Sequence, residues 1–388
     1  MSTDLSTPPQ RRGALAAWLW KNWFPTAGEA NQGMQLGRLL LGPFGQLVAA
    51  NARRRQRKQQ DAPQLRIPVI AVGNVLLGGA GKTPACLGLL QALQAKGLRA
   101  GLISRGYGLK PELKSSDQPR VLLPDASANP DWIGDEPWLI HHRAGVPVAI
   151  HPDRHQAGRA LLSHCPDLEV VVLDDGLSQT SLRPQIRVLL LDDRLLGNGL
   201  CLPAGPNRFA WPPLHFAQPD LVLIKGTPNA ESLSVLLSSL HPRPPVAGLS
   251  MRPSQWVGLQ EHQSLSSLRA QIQGHPSPTV WAVAGIAEPH RFFDDLRAQG
   301  LPLTQCIALD DHAFNPWGTL ERIRGSQDWP DFILTTEKDF GKFQSSHSTR
   351  ADFPWARLWA LQLDHSLPPE WTQHLIARLQ CRDGLQSA

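Results

Sequence analysis

Charge is sparse in this chain: Asp, Glu, Lys and Arg make up 18% of its 388 residues. That argues against a coiled coil or a disordered, solvating chain. Cysteine is scarce and scattered. Cys86, Cys165, Cys201, Cys306 and Cys381 are odd in number and form no C-x-x-C pair, so they read as reduced thiols in a cytosolic setting, not as a disulfide frame or a zinc site. No apolar run reaches the ~20 residues that cross a bilayer. No internal repeat stands out, and no nucleic-acid-binding module accompanies the basic residues. Arg11-Arg12 does precede the apolar stretch Gly13–Trp20, as in a secretion signal, but the stretch is short and Lys21 closes it. Retention in the cytoplasm is the expectation.

What is present is organised around Ile67–Pro84, IPVIAVGNVLLGGAGKTP. An apolar run ends in glycines and then Gly81-Lys82-Thr83, and the helix formers Ala85, Leu87, Leu89 and Leu90 follow at once. This is a strand feeding a phosphate-binding loop at a helix N-terminus, where free N–H groups and the positive end of the dipole favour anions. Lys82 would reach the outer phosphates and the Thr83 hydroxyl would ligate Mg²⁺. The strict G-x-x-x-x-G-K-[ST] spacing fails at Leu76, and Gly73, Gly78 and Gly79 supply turn glycines instead.

Length alone favours two domains. After the loop, short apolar runs recur at 99–103, 146–150, 170–173, 188–191 and 221–224, separated by helix-length polar segments. Alternation of this kind predicts a mainly parallel, doubly wound α/β sheet of the P-loop type. Ligands gather outside the C-terminal ends of such strands, where Ser104-Arg105, Asp174-Asp175 and Asp192-Asp193 fall. The Ser-, Pro- and His-rich stretch from 226 to 253 reads as a linker. A second, smaller α/β unit follows, with strands at 279–284, 332–335 and 357–363, a helix at 289–299 and a C-terminal helix at 369–379. The expected division is 1–60, a hydrophobic and basic N-terminal segment; 61–225, the P-loop domain; 226–253, the linker; and 254–388, the second domain.

The N-terminal segment carries Trp18, Trp20, Trp23 and Phe24, then Leu36, Leu39, Leu40, Leu41, Phe44 and Leu47. Two short helices broken near Pro25 and Pro43 are expected. Their apolar residues suit either a membrane interface, with the following Arg53–Lys58 run on anionic lipid, or a cover over the next domain with a solvated basic linker.

The acidic pair Asp174-Asp175 ends an apolar strand beside the P-loop, where phosphoryl transfer needs a carboxylate for Mg²⁺. Gly134-Asp135-Glu136-Pro137 is, taken alone, a helix start. Asp310-Asp311-His312 is, taken alone, a polar turn. His151 and His155 lack a third ligand.

Taken together, these pieces resemble the tetraacyldisaccharide 4'-kinase family. The resemblance rests on VGNVLLGGAGKTP (Val72–Pro84), SRGYG (Ser104–Gly108), GDEP (Gly134–Pro137), DDGL (Asp174–Leu177) and GNGLCLPAGPNR (Gly197–Arg208). It continues through AGIAEPHRFF (Ala284–Phe293), DDHAF (Asp310–Phe314) and TTEKD (Thr335–Asp339). It implies a peripheral enzyme on the cytoplasmic face of the bacterial inner membrane, built of two α/β/α domains with the active site between them. The enzyme would move the γ-phosphoryl of ATP to the 4'-hydroxyl of tetraacyldisaccharide 1-phosphate.

By motif position, Gly78, Gly79, Gly81, Lys82 and Thr83 would bind nucleotide, and Thr83, Asp174 and Asp175 would hold Mg²⁺. Asp135 would be the general base, paired with His312, and Arg208 would neutralise phosphate charge. Asp153, Arg154 and Gln179 would lie near the lipid headgroup. The expected partners are the acylated glucosamine disaccharide and the membrane surface, with neither nucleic acid nor an obligate protein partner.

Two departures stand out. Leu177 is followed by Ser178-Gln179 where the family has Gln-His, and Arg208 by Phe209-Ala210 where it has Glu-Pro. Both put substrate affinity or identity in question more than ATP binding. Two other activities therefore remain open at this point: a membrane-associated nucleotide switch, and action on another acylated sugar.

Overall fold

A computed structural model describes residues 14–25, 32–79, 81–106, 118–126, 130–286, 288–309, 317–345, 350 and 352–383. The chain forms two compact units, one of residues 1–105, 152–249 and 366–388, the other of residues 106–151 and 250–365.

The sheet of the first unit is parallel and runs β2-β5-β1-β6-β7-β8: Ala100–Ser104, Val170–Leu173, Val69–Asn74, Ile186–Asp192, Leu221–Lys225 and Val246–Gly248. Every residue of β1, β5 and β6 is buried, which is why these strands read as unbroken apolar runs. Each fully buried Val, Leu or Ile contributes roughly 1.5–3 kcal/mol of transfer free energy. Strand order changes direction around β1, so the loops after β1 and β5 lie side by side at the C-terminal edge, where an open α/β sheet holds its ligand.

The sheet of the second unit runs β10-β9-β14-β13-β11-β12: His262–Ser264, Ser250–Val257, Leu358–Ser366, Phe332–Thr336, Val280–Ala284 and Gln305–Ala308. One face packs Trp256, Leu268, Phe292, Phe293 and Trp359, and the other packs Trp281, Trp317, Phe340, Phe343 and Phe353. The same unit contains the antiparallel pair β3 (Arg120–Leu122) and β4 (Val148–Ile150) and the helices α4 (Pro130–Ile133) and α5 (Asp135–Ala144).

The expected boundaries differ from these units in three places. Residues 106–151 cluster with the second unit because α5 packs on α11 (Glu337–Gln344). The expected linker at 226–253 contains α7 (Ala230–Ser238), whose Leu236 and Leu237 are buried, and it also contains β8 and the start of β9. The C-terminal helix α12 (Pro369–Asp383) belongs to the first unit, where the buried Trp371 indole donates to the Val222 carbonyl at 3.1 Å.

At the N-terminus, α1 (Ala14–Trp23) stops before Pro25, whereas α2 runs unbroken from Gln32 to Gln60 through Pro43. Pro43 removes the N–H that the Leu39 carbonyl would accept, and both residues lie on the exposed side of the helix, where water can replace that donor. Gly45 keeps α2 close to the body, since a β-carbon there would stand 3.0 Å from the Cys201 carbonyl oxygen.

Candidate active site

The phosphate loop ends as the sequence predicts. Gly81 is the left-handed N-cap (φ 87°) of α3 (Lys82–Gln94), which places Lys82 and Thr83 in the first turn. Gly78 also has positive φ (103°), and Gly79 follows it. A side chain at Gly81 would be strained and would meet the Lys225 stem at 2.9 Å. Lys225, at the end of β7, thus places a further cation against the loop, and no sequence motif pointed to it.

The loop after β5 folds tightly onto β1. A β-carbon on Gly176 would lie 2.6 Å from that of Ala71, and one on Gly73 would lie 2.7 Å from Leu177. The glycines of the VGN and DDGL segments therefore let two backbones meet. Gly176 N–H bonds the Val72 carbonyl at 2.8 Å, and Gln59 from α2 donates to the Gly176 carbonyl at 2.8 Å. Asp175, at positive φ (50°), is turned toward three cations. Arg208 grips it with two bonds of 2.7 and 2.9 Å, Lys82 Nζ lies 3.9 Å away, and the charge of Arg154 acts on it as well. Burial opposes the Asp175 charge, but the Arg208 bonds, the Arg208 charge, Lys82 and Arg154 outweigh it and hold the carboxyl below its ordinary value.

Asp174 points the other way and is buried, with Oδ2 accepting from the Ser104 hydroxyl at 3.1 Å and Oδ1 4.0 Å from the Cys86 sulfur of α3. Asn74 joins the cluster, its Oδ1 accepting from Lys82 at 3.4 Å and Arg208 at 3.5 Å while its amide donates to the Leu76 carbonyl. It lies inside the VGN element, and its type, a polar residue at the end of a buried strand, was the available signal. The 197–208 segment positions Arg208: Arg208 N–H bonds the Val75 carbonyl at 2.8 Å and Leu77 N–H bonds that of Pro206 at 2.9 Å.

Ser178, at the first departure from the family pattern, accepts from Arg208 at 2.7 Å. Gln179 closes its own turn, taking the N–H groups of Ser181 and Leu182 and donating to the Leu182 carbonyl. Ser181 in turn accepts from Arg154 N–H, and Asp153 caps α6 (Arg154–His164) through His155 and Gln156 N–H. Asp153, Arg154 and Gln179 are thus joined through Ser181 and the start of α6. Outward from them, Arg54, Arg57, Lys58, Asp61 and His155 line an open cavity of about 700 Å³.

Asp135 belongs to the second unit, as the first residue of α5 behind Gly134 (φ 92°). Its Oδ2 lies 3.7 Å from Lys338 Nζ and 3.8 Å from Lys342 Nζ. His312, with Asp310 and Asp311, lies outside the described residues.

Among the described residues no three His, Cys, Asp or Glu side chains gather to cage a metal. Mg²⁺ needs no such cage, because it takes one or two carboxylates together with phosphate oxygens and water. An acidic pair at a strand end, one member 4.0 Å from a side chain in the first turns of the P-loop helix, suits it.

The family model for tetraacyldisaccharide-1-P 4'-kinase matches residues 37–380. This chain belongs to that family. The tetraacyldisaccharide 4'-kinase of Herminiimonas arsenicoxydans is 35% identical over 82% of this chain and 84% of its own. That of Chromobacterium violaceum is 35% identical over 89% and 94%. A solved structure, the "apo" form of LpxK from Aquifex aeolicus in complex with ATP, superimposes with a TM-score of 0.66 at 23% identity, covering 88% of this chain and 99% of that one. At that identity the likeness speaks for the fold, the P-loop kinase architecture predicted from the strand and helix pattern.

Proposed function

We propose that this chain transfers the γ-phosphoryl group of ATP to the 4'-hydroxyl of tetraacyldisaccharide 1-phosphate, yielding lipid IV-A on the route to lipid A. The observation that carries the reading is the Lys82–Asp175–Arg208 cluster at the N-terminus of α3, within a chain of the 4'-kinase family. Gly78, Gly79 and Gly81 shape the backbone cradle, and Lys82 takes the outer phosphates. Thr83, Asp174 and Asp175 are the groups that would hold Mg²⁺, whose charge offsets that on the β- and γ-phosphates. Arg208 exchanges part of its contact with Asp175 for phosphate oxygen as nucleotide enters.

Asp135 acts on the sugar hydroxyl. A hydroxyl is far less acidic than a carboxylic acid, so the carboxylate mainly orients it and accepts its proton late in a loose transition state. His312 is the proposed partner of Asp135. Asp153 and Arg154, with the basic end of α2, face the anionic headgroup in this reading.

The membrane reading draws support from α2. Leu39, Leu40, Phe44 and Leu47 are exposed by 58–74%, and Arg53, Arg54, Arg55, Arg57 and Lys58 face solvent on the same helix while Gln56 and Gln59 turn inward. This is the pattern of a helix lying in an anionic interface. Among the described residues no helix is long and apolar enough to cross a membrane. The large apolar residues from 15 to 24 divide between the two expected roles. Trp23 donates to the Pro203 carbonyl at 3.0 Å and Arg194 lies over Trp20 and Phe24, so these cover the body, whereas Leu15 and Trp18 are exposed.

The test is transfer of labelled γ-phosphate from Mg-ATP to tetraacyldisaccharide 1-phosphate in detergent. Wild type should form product, and Asp135→Asn should lower kcat by about 10²–10⁴-fold. A folded, ATP-binding wild type that makes none would overturn the assignment.

A further inference from the structure

Two motifs of the second unit meet in space, and the reaction as described so far uses only one of them. GDEP starts α5 and TTEKD starts α11, and these helices pack together. We propose that Lys338 and Lys342 are positioning residues for the Asp135 carboxylate, and that the TTEKD segment presents them. This inference rests on the reading of Asp135 as the proton acceptor.

Lys338 and Lys342 are one helical turn apart, so they share a face of α11. Both ammonium groups approach the same oxygen, Asp135 Oδ2, at 3.7 and 3.8 Å. Lys338 also reaches Glu136 Oε1 at 3.9 Å, and Lys342 reaches Asp339 Oδ1 at 3.2 Å. The side chains are largely withdrawn from water: Lys338 is 16% exposed, Lys342 10%, Asp135 6% and Asp339 1%. Charges at such depth persist only when paired, and their mutual attraction is little weakened by solvent.

The far end of the network is fixed to backbone. Asp339 Oδ2 accepts from Gly285 N–H and from the Thr336 hydroxyl, each at 2.7 Å, and Thr336 caps α11. A continuous path therefore runs from the Gly285 backbone through Asp339 and Lys342 to Asp135.

Holding the two helices together does not require these lysines. Arg143 of α5 already pairs with Glu337 of α11, and the Trp138 ring fills the space where a Gly341 β-carbon would be, 2.5 Å away. What the lysines add is two positive charges on one oxygen of the residue proposed to meet the substrate. In a loose transition state the placement of that carboxylate matters more than its proton affinity. The lysines set the placement.

The experiment is a double-mutant cycle on the full chain, measuring kcat and the KM for ATP, with thermal unfolding of each variant as a control. Lys342→Met should lower kcat by about tenfold or more and leave the KM for ATP within about twofold. Lys342→Arg should recover part of the loss. In an Asp135→Asn background, Lys342→Met should produce no further loss, because the residue it positions is already disabled.

Lys338→Met repeats the test without disturbing the Lys342–Asp339 contact, so it serves if Lys342→Met folds poorly. A loss of the same size with Asp135 present or absent would overturn the proposal, as would unchanged kcat in both lysine variants. An Asp135→Asn enzyme with wild-type kcat would instead remove the proton-acceptor reading and this inference with it.

Discussion

Among the described residues Asp175 in the first unit lies near three cations and Asp135 in the second near two, and the contacts differ in kind. Asp175 is gripped by Arg208 through two hydrogen bonds of 2.7 and 2.9 Å, with Lys82 further off at 3.9 Å. Asp135 sees two ammonium groups at 3.7 and 3.8 Å, beyond hydrogen-bond length. A bidentate guanidinium fixes the direction of a carboxylate as well as its charge, whereas an ammonium at nearly 4 Å acts as a point charge. The first arrangement suits a residue whose partner must be exchanged when an anion arrives. The second suits one that, in the proposed reaction, is held in place while it orients a neutral hydroxyl and takes its proton late.

Loss of the closer cation of the first site should have the largest effect. Arg208→Met leaves the largely buried Asp175 charge with Lys82 and Arg154 as its remaining cations among the described residues. It should lower stability by about 3 kcal/mol in denaturant unfolding. Adding Asp175→Asn should restore most of that. Lys342→Met should lower stability by only about 1 kcal/mol, because Asp339 keeps its bonds to Gly285 and Thr336. Equal losses for the two single variants would erase the distinction between the sites.

Close packing of α5 on α11 makes Gly341 the next most sensitive position. Gly341→Ala would drive a methyl group to 2.5 Å from the Trp138 ring, so it should lower stability by about 1–3 kcal/mol. Trp138→Leu in the same chain should recover part of the loss. Additive losses would show that the packing of Gly341 on Trp138 is not what limits the position.

The first site was largely legible in the sequence because its parts follow one another along strands that carry strong local signals. The apolar runs of β1 and β5, the Gly-Lys-Thr start of α3 and the acidic pair after β5 each announce themselves within a few residues. The position of Arg208 depended on the whole 197–208 element, and its bond to Ser178 could not be read at all, since it links residues 30 apart. The second site was hidden for a different reason. GDEP and TTEKD are some 200 residues apart, and the chain crosses between the units more than once. Composition also misled: the Ser- and Pro-rich 226–253 stretch holds a helix because Asn229 caps it and Leu236 and Leu237 bury. Short edge strands such as β3, β10 and β12 lack any alternation long enough to register.

The smallest expected effect separates the ion pairs of the two units by the sign of their pH dependence. Asp175 is held below its ordinary value of 3.8, so its contribution to stability is complete above about pH 4 and is lost as pH falls toward the folded value. Glu337 behaves oppositely. Burial pushes its carboxyl above the ordinary 4.5, and the Arg143 charge and the Leu363 N–H offset this only in part. The folded chain therefore binds more protons at Glu337 than the unfolded chain does between 4.5 and the raised folded value, and stability must rise as pH falls through that window. Unfolding of wild type and Glu337→Gln between pH 7 and 4.5 should show wild type gaining stability on the variant as the solution is acidified. The same comparison with Asp175→Asn should stay flat over that range and change only below it. A wild type that instead loses ground to Glu337→Gln on acidification would mean that the Arg143 charge outweighs burial, and that the α5–α11 pair resembles the Asp175–Arg208 pair after all.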